Sequence, residues 1–132
     1  MSNAESDITS ECGLDVALAI MGGKWKPLVL YHLRHGPKRF ADLRRLVVGI
    51  SEKVLIQQLR ELVEAEVLVR RDYQQVPPKV DYTLTPFGET LIEALVPLCV
   101  WGTRHRARIE SMQLSSVKKA VGASAGMHGQ AS

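Results

Sequence analysis

The stretch GISEKVLIQQLREL, residues 49–62, decides the fold. Ser51 predicts the start of a helix, because its hydroxyl can accept a hydrogen bond from a backbone N–H of the first turn. Ile50 before it and Leu55 after it have the spacing of a hydrophobic staple. Leu55, Leu59 and Leu62 recur at helical spacing and define one buried face. The sequence therefore predicts an amphipathic helix over about residues 51–64.

The opposite face of this helix carries Lys53, Gln57 and Arg60. Long cationic and amide side chains near a helix N-terminus suit base edges and phosphates in a DNA major groove. An ordinary amphipathic helix with a solvated polar face would show the same pattern. The neighbouring segments must therefore decide between the two interpretations.

The segments before residue 49 favour a DNA-binding arrangement. Phe40, Leu43, Leu46 and Val47 predict a short helix that ends before Gly49. A short amphipathic helix, a tight glycine turn and a second amphipathic helix form the helix-turn-helix pattern. Two earlier helices are expected. One is largely buried over 14–21 and ends at Gly-Gly, and the other runs from Lys-Trp-Lys-Pro at 24–27 to the stop at 35–37.

The segment after the amphipathic helix predicts a β-hairpin. Residues 69–75 and 80–84 are strand-like, and the prolines at 77 and 78 place the hairpin tip between them. A helix-turn-helix followed by such a hairpin is the winged form of the motif, with the wing at about residues 70–84. The expected fold is mainly α with a small β-hairpin wing.

A terminal helix is predicted from Thr85-Pro86 onward. It is apolar nearly all round, so it must be buried nearly all round. The expected cover is a second subunit in an isologous dimer that forms through the terminal helices. Pro97 should kink or split this helix. Cys99, on the same helix, is expected in the hydrophobic core. The predicted interface residues are Leu14, Leu91, Leu95, Leu98 and Trp101.

The chain length of 132 residues suits one domain. Residues 1–12 are polar and acidic and predict a flexible N-terminal arm. Residues 13–112 form the predicted DNA-binding and dimerisation domain. Residues 113–132 are rich in Ser, Ala and Gly and predict a disordered tail.

Charge and composition narrow the function. The net charge is +3, a weak indication of a polyanionic partner. Between residues 24 and 45 there are seven bases against one acid. Two cysteines make no disulfide framework, and the acidic start is no signal peptide, so a reducing cytoplasm is expected. No apolar run is long enough to span a membrane, so no membrane partner is expected. The sequence contains no glycine-rich phosphate loop, nucleophile elbow or carboxylate cluster. It therefore gives no indication of an enzyme, a cofactor or a bound metal.

Several motifs together resemble the HxlR-type winged-helix transcriptional regulators, a bacterial family close to the MarR superfamily. The resemblance covers roughly residues 12–104 and rests on Cys12, IMGGKW (20–25), GPKRF (36–40), GIS (49–51), LREL (59–62) and VPPKVDYTLT (76–85). It implies a homodimeric, sequence-specific DNA-binding protein without enzymatic activity. The expected partner is double-stranded DNA carrying an imperfect inverted repeat, with half-sites about one helical turn apart.

Nine residues are the candidates for DNA contact. Gln can read adenine bidentately, and Arg or Lys can read guanine, while the supporting helix and the hairpin tip suit the phosphate backbone and the flanking groove. They are Lys53, Gln57 and Arg60 on the recognition helix, Ser51 at its start, Lys38, Arg39 and Arg44 before it, and Arg71 and Lys79 beside the wing tip.

Cys12 is the candidate redox sensor, because some relatives of this family sense electrophiles or oxidants through an N-terminal cysteine. A nearby helix start can favour its thiolate, whereas a small, buried, inert cysteine is the plainer interpretation. Two other functions stay open. His32 and His35 have helical spacing for a metal-sensing regulator, and a winged helix can serve as a protein-interaction module. No residue identifies a small-molecule effector.

Overall fold

The computed structural model describes residues 12–120. The helices and strands follow in chain order: α1 (Leu14–Met21), α2 (Trp25–His32), α3 (Phe40–Leu46), α4 (Glu52–Glu64), β1 (Leu68–Asp72), β2 (Val80–Leu84), α5 (Pro86–Arg104) and α6 (Arg106–Ser111). The predicted N-terminal arm lies outside the described residues except for Cys12.

The core lies between α2, α3 and α4, closed by the start of β1 and by α5. Leu30 of α2, Leu43 of α3 and Leu55, Leu59 and Leu62 of α4 are all fully buried or nearly so. Burial of a leucine side chain contributes about 1.5–3 kcal/mol. These side chains therefore fix how the three helices pack.

Helix α4 begins as the sequence predicts. The hydroxyl of Ser51 accepts a hydrogen bond from the backbone N–H of Val54 at 3.1 Å. Ile50 and Leu55 are both buried, as the hydrophobic staple requires. The turn before it needs Gly49, whose φ of 89° lies in the left-handed region that glycine tolerates best.

Strands β1 and β2 form an antiparallel hairpin, called here the wing, with a register that runs from Leu68 opposite Leu84 to Asp72 opposite Val80. Lys38 extends the sheet, because its N–H donates to the Tyr82 carbonyl at 3.0 Å and its carbonyl accepts from the Tyr82 N–H at 2.8 Å. The predicted fold class, a mainly α winged helix-turn-helix, is confirmed.

Two expectations about the outer helices, the burial of α1 and a split in α5, are wrong for the protomer. Helix α1 is not largely buried, since none of its residues is buried. Helix α5 is not split at Pro97 but continues to Arg104. Pro97 is exposed, and it leaves the Glu93 carbonyl without an intrahelical N–H partner. Residues 115–120, which fall within the predicted disordered tail, are helical.

The predicted dimer-interface residues divide into two groups. Leu95 is only 9% exposed and belongs to the core, and Leu91 packs partly buried against that core. Leu95 is therefore not available to a partner, because the face of α5 that carries it packs on its own domain. Leu98 and Trp101 are exposed. Cys99 is exposed as well, which corrects its expected place in the core.

The start of α5 is tied to the base of the wing at Thr85 and Gly88. The Thr85 hydroxyl accepts from the Gly88 N–H at 2.9 Å and donates to the Glu66 carbonyl at 2.6 Å. A Cβ at Gly88 would stand 2.1 Å from the Val67 carbonyl oxygen. This junction therefore requires glycine for a close backbone approach.

We expect Gly88→Ala to lower the free energy of unfolding by about 1–3 kcal/mol, because the new methyl group must displace the Val67 backbone. Gly102→Ala is the matched control, since a Cβ at Gly102 meets nothing within 4 Å in the protomer. The control should gain about 0.5–1 kcal/mol from helix propensity. Urea unfolding at fixed protein concentration measures both. Equal urea midpoints for Gly88→Ala and wild type would contradict the proposed constraint.

Candidate nucleic-acid interface

The polar face of α4 is presented to solvent as a unit. Lys53, Gln57 and Arg60 are all exposed, one turn apart along the helix. The leucines on the opposite face lie in the core, so the helix cannot rotate to hide these polar groups. Ile56, 42% exposed, adds an apolar side chain to the same surface.

The supporting helix α3 brings further cations to the start of α4. Arg44 lies 3.3 Å from Glu52, measured from Nη1 to Oε2, and both side chains are more than half exposed. Such a surface ion pair contributes at most about 1 kcal/mol. Arg44 can therefore leave Glu52 and bind another anion. Arg39 is the exposed residue before α3, and its backbone N–H donates to the Asp42 carboxylate at 3.2 Å. Lys38 is half-buried beside the wing.

The wing carries its cations on a small ordered network. The Lys79 ammonium lies 4.4 Å from the centre of the Tyr73 ring, a cation–π contact. The Tyr73 hydroxyl donates to Asp81 Oδ2 at 3.0 Å. Asp81 is buried, and its Oδ1 has no hydrogen-bond partner within residues 12–120. Arg71 is exposed on β1, directly across the hairpin from Asp81.

One contact at this surface involves residues that sequence reasoning did not select. Lys26 of α2 lies 2.5 Å from Glu61, measured from Nζ to Oε1, and Gln57 Nε2 donates to the other oxygen at 3.2 Å. The hydrogen bonds from Lys26 and then Gln57 lower the pKa of Glu61. The i,i+4 spacing of Gln57 and Glu61 could have indicated half of this contact. Lys26, thirty-five positions away, carries no such signal.

The two histidines considered for metal binding differ in surroundings. Burial, and then the charges of Arg34 and Lys38, lower the pKa of His32, so its imidazole is neutral at neutral pH. His35 is exposed. No group of three His, Cys, Asp or Glu residues within the described range is arranged to hold a metal ion. The described helices include none with the length and apolar character to cross a membrane.

Cys12 stands at the surface, outside the helical core. Its side chain is exposed in the protomer, whereas the plainer interpretation expected a buried cysteine. The next residue, Gly13, has a φ of 72° and precedes the first residue of α1. An exposed thiol at this position is accessible to reagents in solution.

The described helices leave an apolar surface without cover in the protomer. Leu14 on α1 is 57% exposed, while Leu98 and Trp101 on α5 are 61% and 54% exposed. Val16, Leu18 and Val100 of the same helices are also exposed. Three of the five predicted interface residues therefore lie on this surface.

A helix-turn-helix whose second helix exposes cations and an amide, followed by a wing that carries further cations, defines the winged-helix class of regulatory proteins. The chain belongs to the HxlR-like helix-turn-helix family, whose sequence model matches residues 20–110. It is a transcriptional regulator of the HxlR type, with MarR-like structural neighbours.

Individual relatives agree with this assignment. The HTH-type transcriptional regulator YkvN of Bacillus subtilis (strain 168) is 50% identical over 91 residues, which cover 69% of this chain and 77% of YkvN. The structure of the redox regulator HypR in its reduced form is 42% identical, with a TM-score of 0.71, and the match covers 74% of this chain and 97% of HypR. A MarR-family regulator from Enterococcus faecalis V583 is 36% identical, with a TM-score of 0.66, and the match covers 76% and 92% of the two chains.

Proposed function

We propose that this regulator binds double-stranded DNA sequence-specifically as a homodimer, with α4 in the major groove. The observation that carries the proposal is the orientation of α4. Its leucines are locked in the core, and Lys53, Gln57 and Arg60 face outward together. Amide and cationic side chains at this spacing match the donors and acceptors of base edges.

The other candidate contacts surround α4 and suit the phosphate backbone. The first backbone N–H groups of α4, next to Ser51, can bind a phosphate through the helix dipole. Arg44 of α3 stands beside that helix start, next to Glu52. Arg39 precedes α3, and Lys38 links that segment to the wing. Arg71 and Lys79 place positive charge on the wing, where the flanking groove would lie. The family's regulators support a role without enzymatic activity.

The uncovered apolar surface of α1 and α5 supports the homodimer. Exposed Leu14, Leu98 and Trp101 resemble the anchors of protein interfaces more than a solvated face. A second copy of the chain covers this surface and presents a second α4. The operator is then an imperfect inverted repeat, with half-sites about one helical turn apart.

We further propose that Cys12 makes the regulator responsive to oxidants or electrophiles. Its exposed thiol supports this, as does the structural similarity to HypR, a redox regulator solved in reduced and oxidised forms. Free cysteines at positions 12 and 99 also fit a reducing cytoplasm. Oxidation or alkylation of the Cys12 thiol would then change the affinity for DNA.

We expect Lys53→Ala and Arg39→Ala to weaken DNA binding in different ways. Lys53→Ala should lose about 1–3 kcal/mol on one duplex sequence, because a base contact is removed. Arg39→Ala should weaken binding to all sequences and reduce the salt slope by about one, because a phosphate contact is removed. Arg108→Ala is the control, because it removes the same charge on α6, outside the helix-turn-helix and the wing.

Anisotropy titrations over a salt series measure these effects. They compare a duplex selected by the wild-type protein from a randomised library with a scrambled duplex. Equal, weak wild-type binding to both duplexes would overturn the proposal and leave a protein-interaction module as the better interpretation. Unchanged specific binding by Lys53→Ala would show that the base-reading face is assigned wrongly.

We expect Leu98→Glu to convert the dimer to a monomer, because each protomer would have to bury an unpaired carboxylate at the interface. The exposed position of Leu98 means that the protomer fold does not depend on it. Val76→Glu at the wing tip, where the side chain is 97% exposed, is the control for an added charge. Sedimentation equilibrium measures the mass. A wild-type monomer, or an unchanged Leu98→Glu dimer, would contradict this interface.

We expect hydrogen peroxide or diamide to change the DNA affinity of the wild type several-fold and to leave Cys12→Ser unaffected. Cys99→Ser, which removes the other exposed thiol, should respond as the wild type does. Titrations before and after treatment, with dithiothreitol reversal, provide the measurement. A response that survives in Cys12→Ser would exclude Cys12 as the sensor.

A further inference from the structure

A continuous chain of polar contacts connects α2 to the base-reading face of α4. It starts at the ammonium of Lys26, passes through both carboxylate oxygens of Glu61 and ends at the amide nitrogen of Gln57. The side chain of Lys26 is only 13% exposed, whereas that of Glu61 is 41% exposed. Lys26 therefore lies largely beneath the surface that Gln57 presents to solvent.

The carboxylate of Glu61 determines which way the Gln57 amide points. An amide nitrogen has two N–H donors, and an ionised carboxylate only accepts. If the amide rotated by half a turn, its oxygen would face Glu61 Oε2 at hydrogen-bond distance without a proton between them. One N–H of Gln57 is thus committed to Glu61, while the second N–H and Oε1 remain available.

That remaining pair of groups matches one base edge. Adenine presents the N7 acceptor and the N6 donor in the major groove, and a glutamine amide binds both at once. A side chain that is already held in the binding orientation loses less rotamer freedom when the base arrives. An unheld Gln57 would bind the same edge with less selectivity.

Lys26 makes this arrangement compatible with DNA. An unpaired Glu61 would place a negative charge beside the DNA phosphates. It would also attract the cations that surround DNA, and these would compete with Gln57 for the carboxylate. The contact with the Lys26 ammonium offsets the negative charge of the Glu61 carboxylate and holds the carboxylate in place. The same face of α4 carries Glu64, for which no side-chain hydrogen bond is found in the described part of the chain.

We propose that Lys26 and Glu61 are positioning residues that hold the Gln57 amide to read an adenine in each half-site. A residue of α2 that does not touch DNA thereby sets base selectivity. This inference rests on the proposed DNA-binding function and assigns a base to one position of the recognition helix.

The test uses the full-length protein and the duplex selected from a randomised library. Single base-pair changes across one half-site first locate the position at which Gln57→Ala stops discriminating between bases. We expect an adenine there. Glu61→Gln and Lys26→Met should then lower discrimination at that position by roughly threefold to tenfold, the range expected for one hydrogen bond. Discrimination at the other positions of the half-site should stay unchanged.

Two controls separate positioning from charge and from folding. Glu64→Gln removes the same charge from the same face of α4 and should leave discrimination at the Gln57 position unchanged. Lys26→Arg retains the cation and should restore most of the discrimination that Lys26→Met loses. In the Gln57→Ala background, Lys26→Met should have no further effect, because Lys26 acts only through Gln57. Thermal unfolding of each variant verifies that the fold is retained.

Several outcomes would overturn the inference. One is that Glu61→Gln and Glu64→Gln both discriminate between bases at the Gln57 position as well as the wild type does. Another is that the base selected at that position is not adenine. An equal effect of Lys26→Met with and without Gln57 would show a structural role instead. A wild type that binds selected and scrambled duplexes alike would overturn the proposed function itself, which is a distinguishable result.

Discussion

The burial of one leucine stripe on α4 is the constraint on which the rest of the structure depends. Leu55, Leu59 and Leu62 are essentially inaccessible to solvent, and together they contribute several kcal/mol to folding. Their burial fixes both the position of α4 and its rotation about its own axis. Because side chains about half a turn away must then point outward, Lys53 and Gln57 form part of a defined outer surface.

The wing is held to this core by two backbone junctions. One is the pair of hydrogen bonds between Lys38 and Tyr82, which ties β2 to the residues before α3. The other is the close approach of Gly88 to the Val67 carbonyl, which ties the start of α5 to the end of α4 and β1. The wing cations therefore keep a definite position relative to α4, which a two-stranded hairpin alone would not provide.

Three polar or reactive features lie outside the hydrophobic core and carry the functional proposals. The Lys26–Glu61–Gln57 chain orders the surface of α4, the Lys79–Tyr73–Asp81 network orders the wing, and Cys12 offers an exposed thiol. The core provides the rigid support, and these features supply the chemistry. This division is typical of regulators in which one scaffold serves different operators and signals.

Local patterns in the sequence were enough to predict α4, its cap at Ser51, its outward face, the hairpin and the winged helix-turn-helix fold, because periodicity and capping depend on neighbours a few positions away. They could not predict which apolar positions the protomer itself buries. Leu95 lies in the core while Leu98 and Cys99 are exposed, since one face of α5 packs on its own domain. Only the tertiary structure placed Lys26 against Glu61, because a contact between distant helices leaves no periodic trace in the chain.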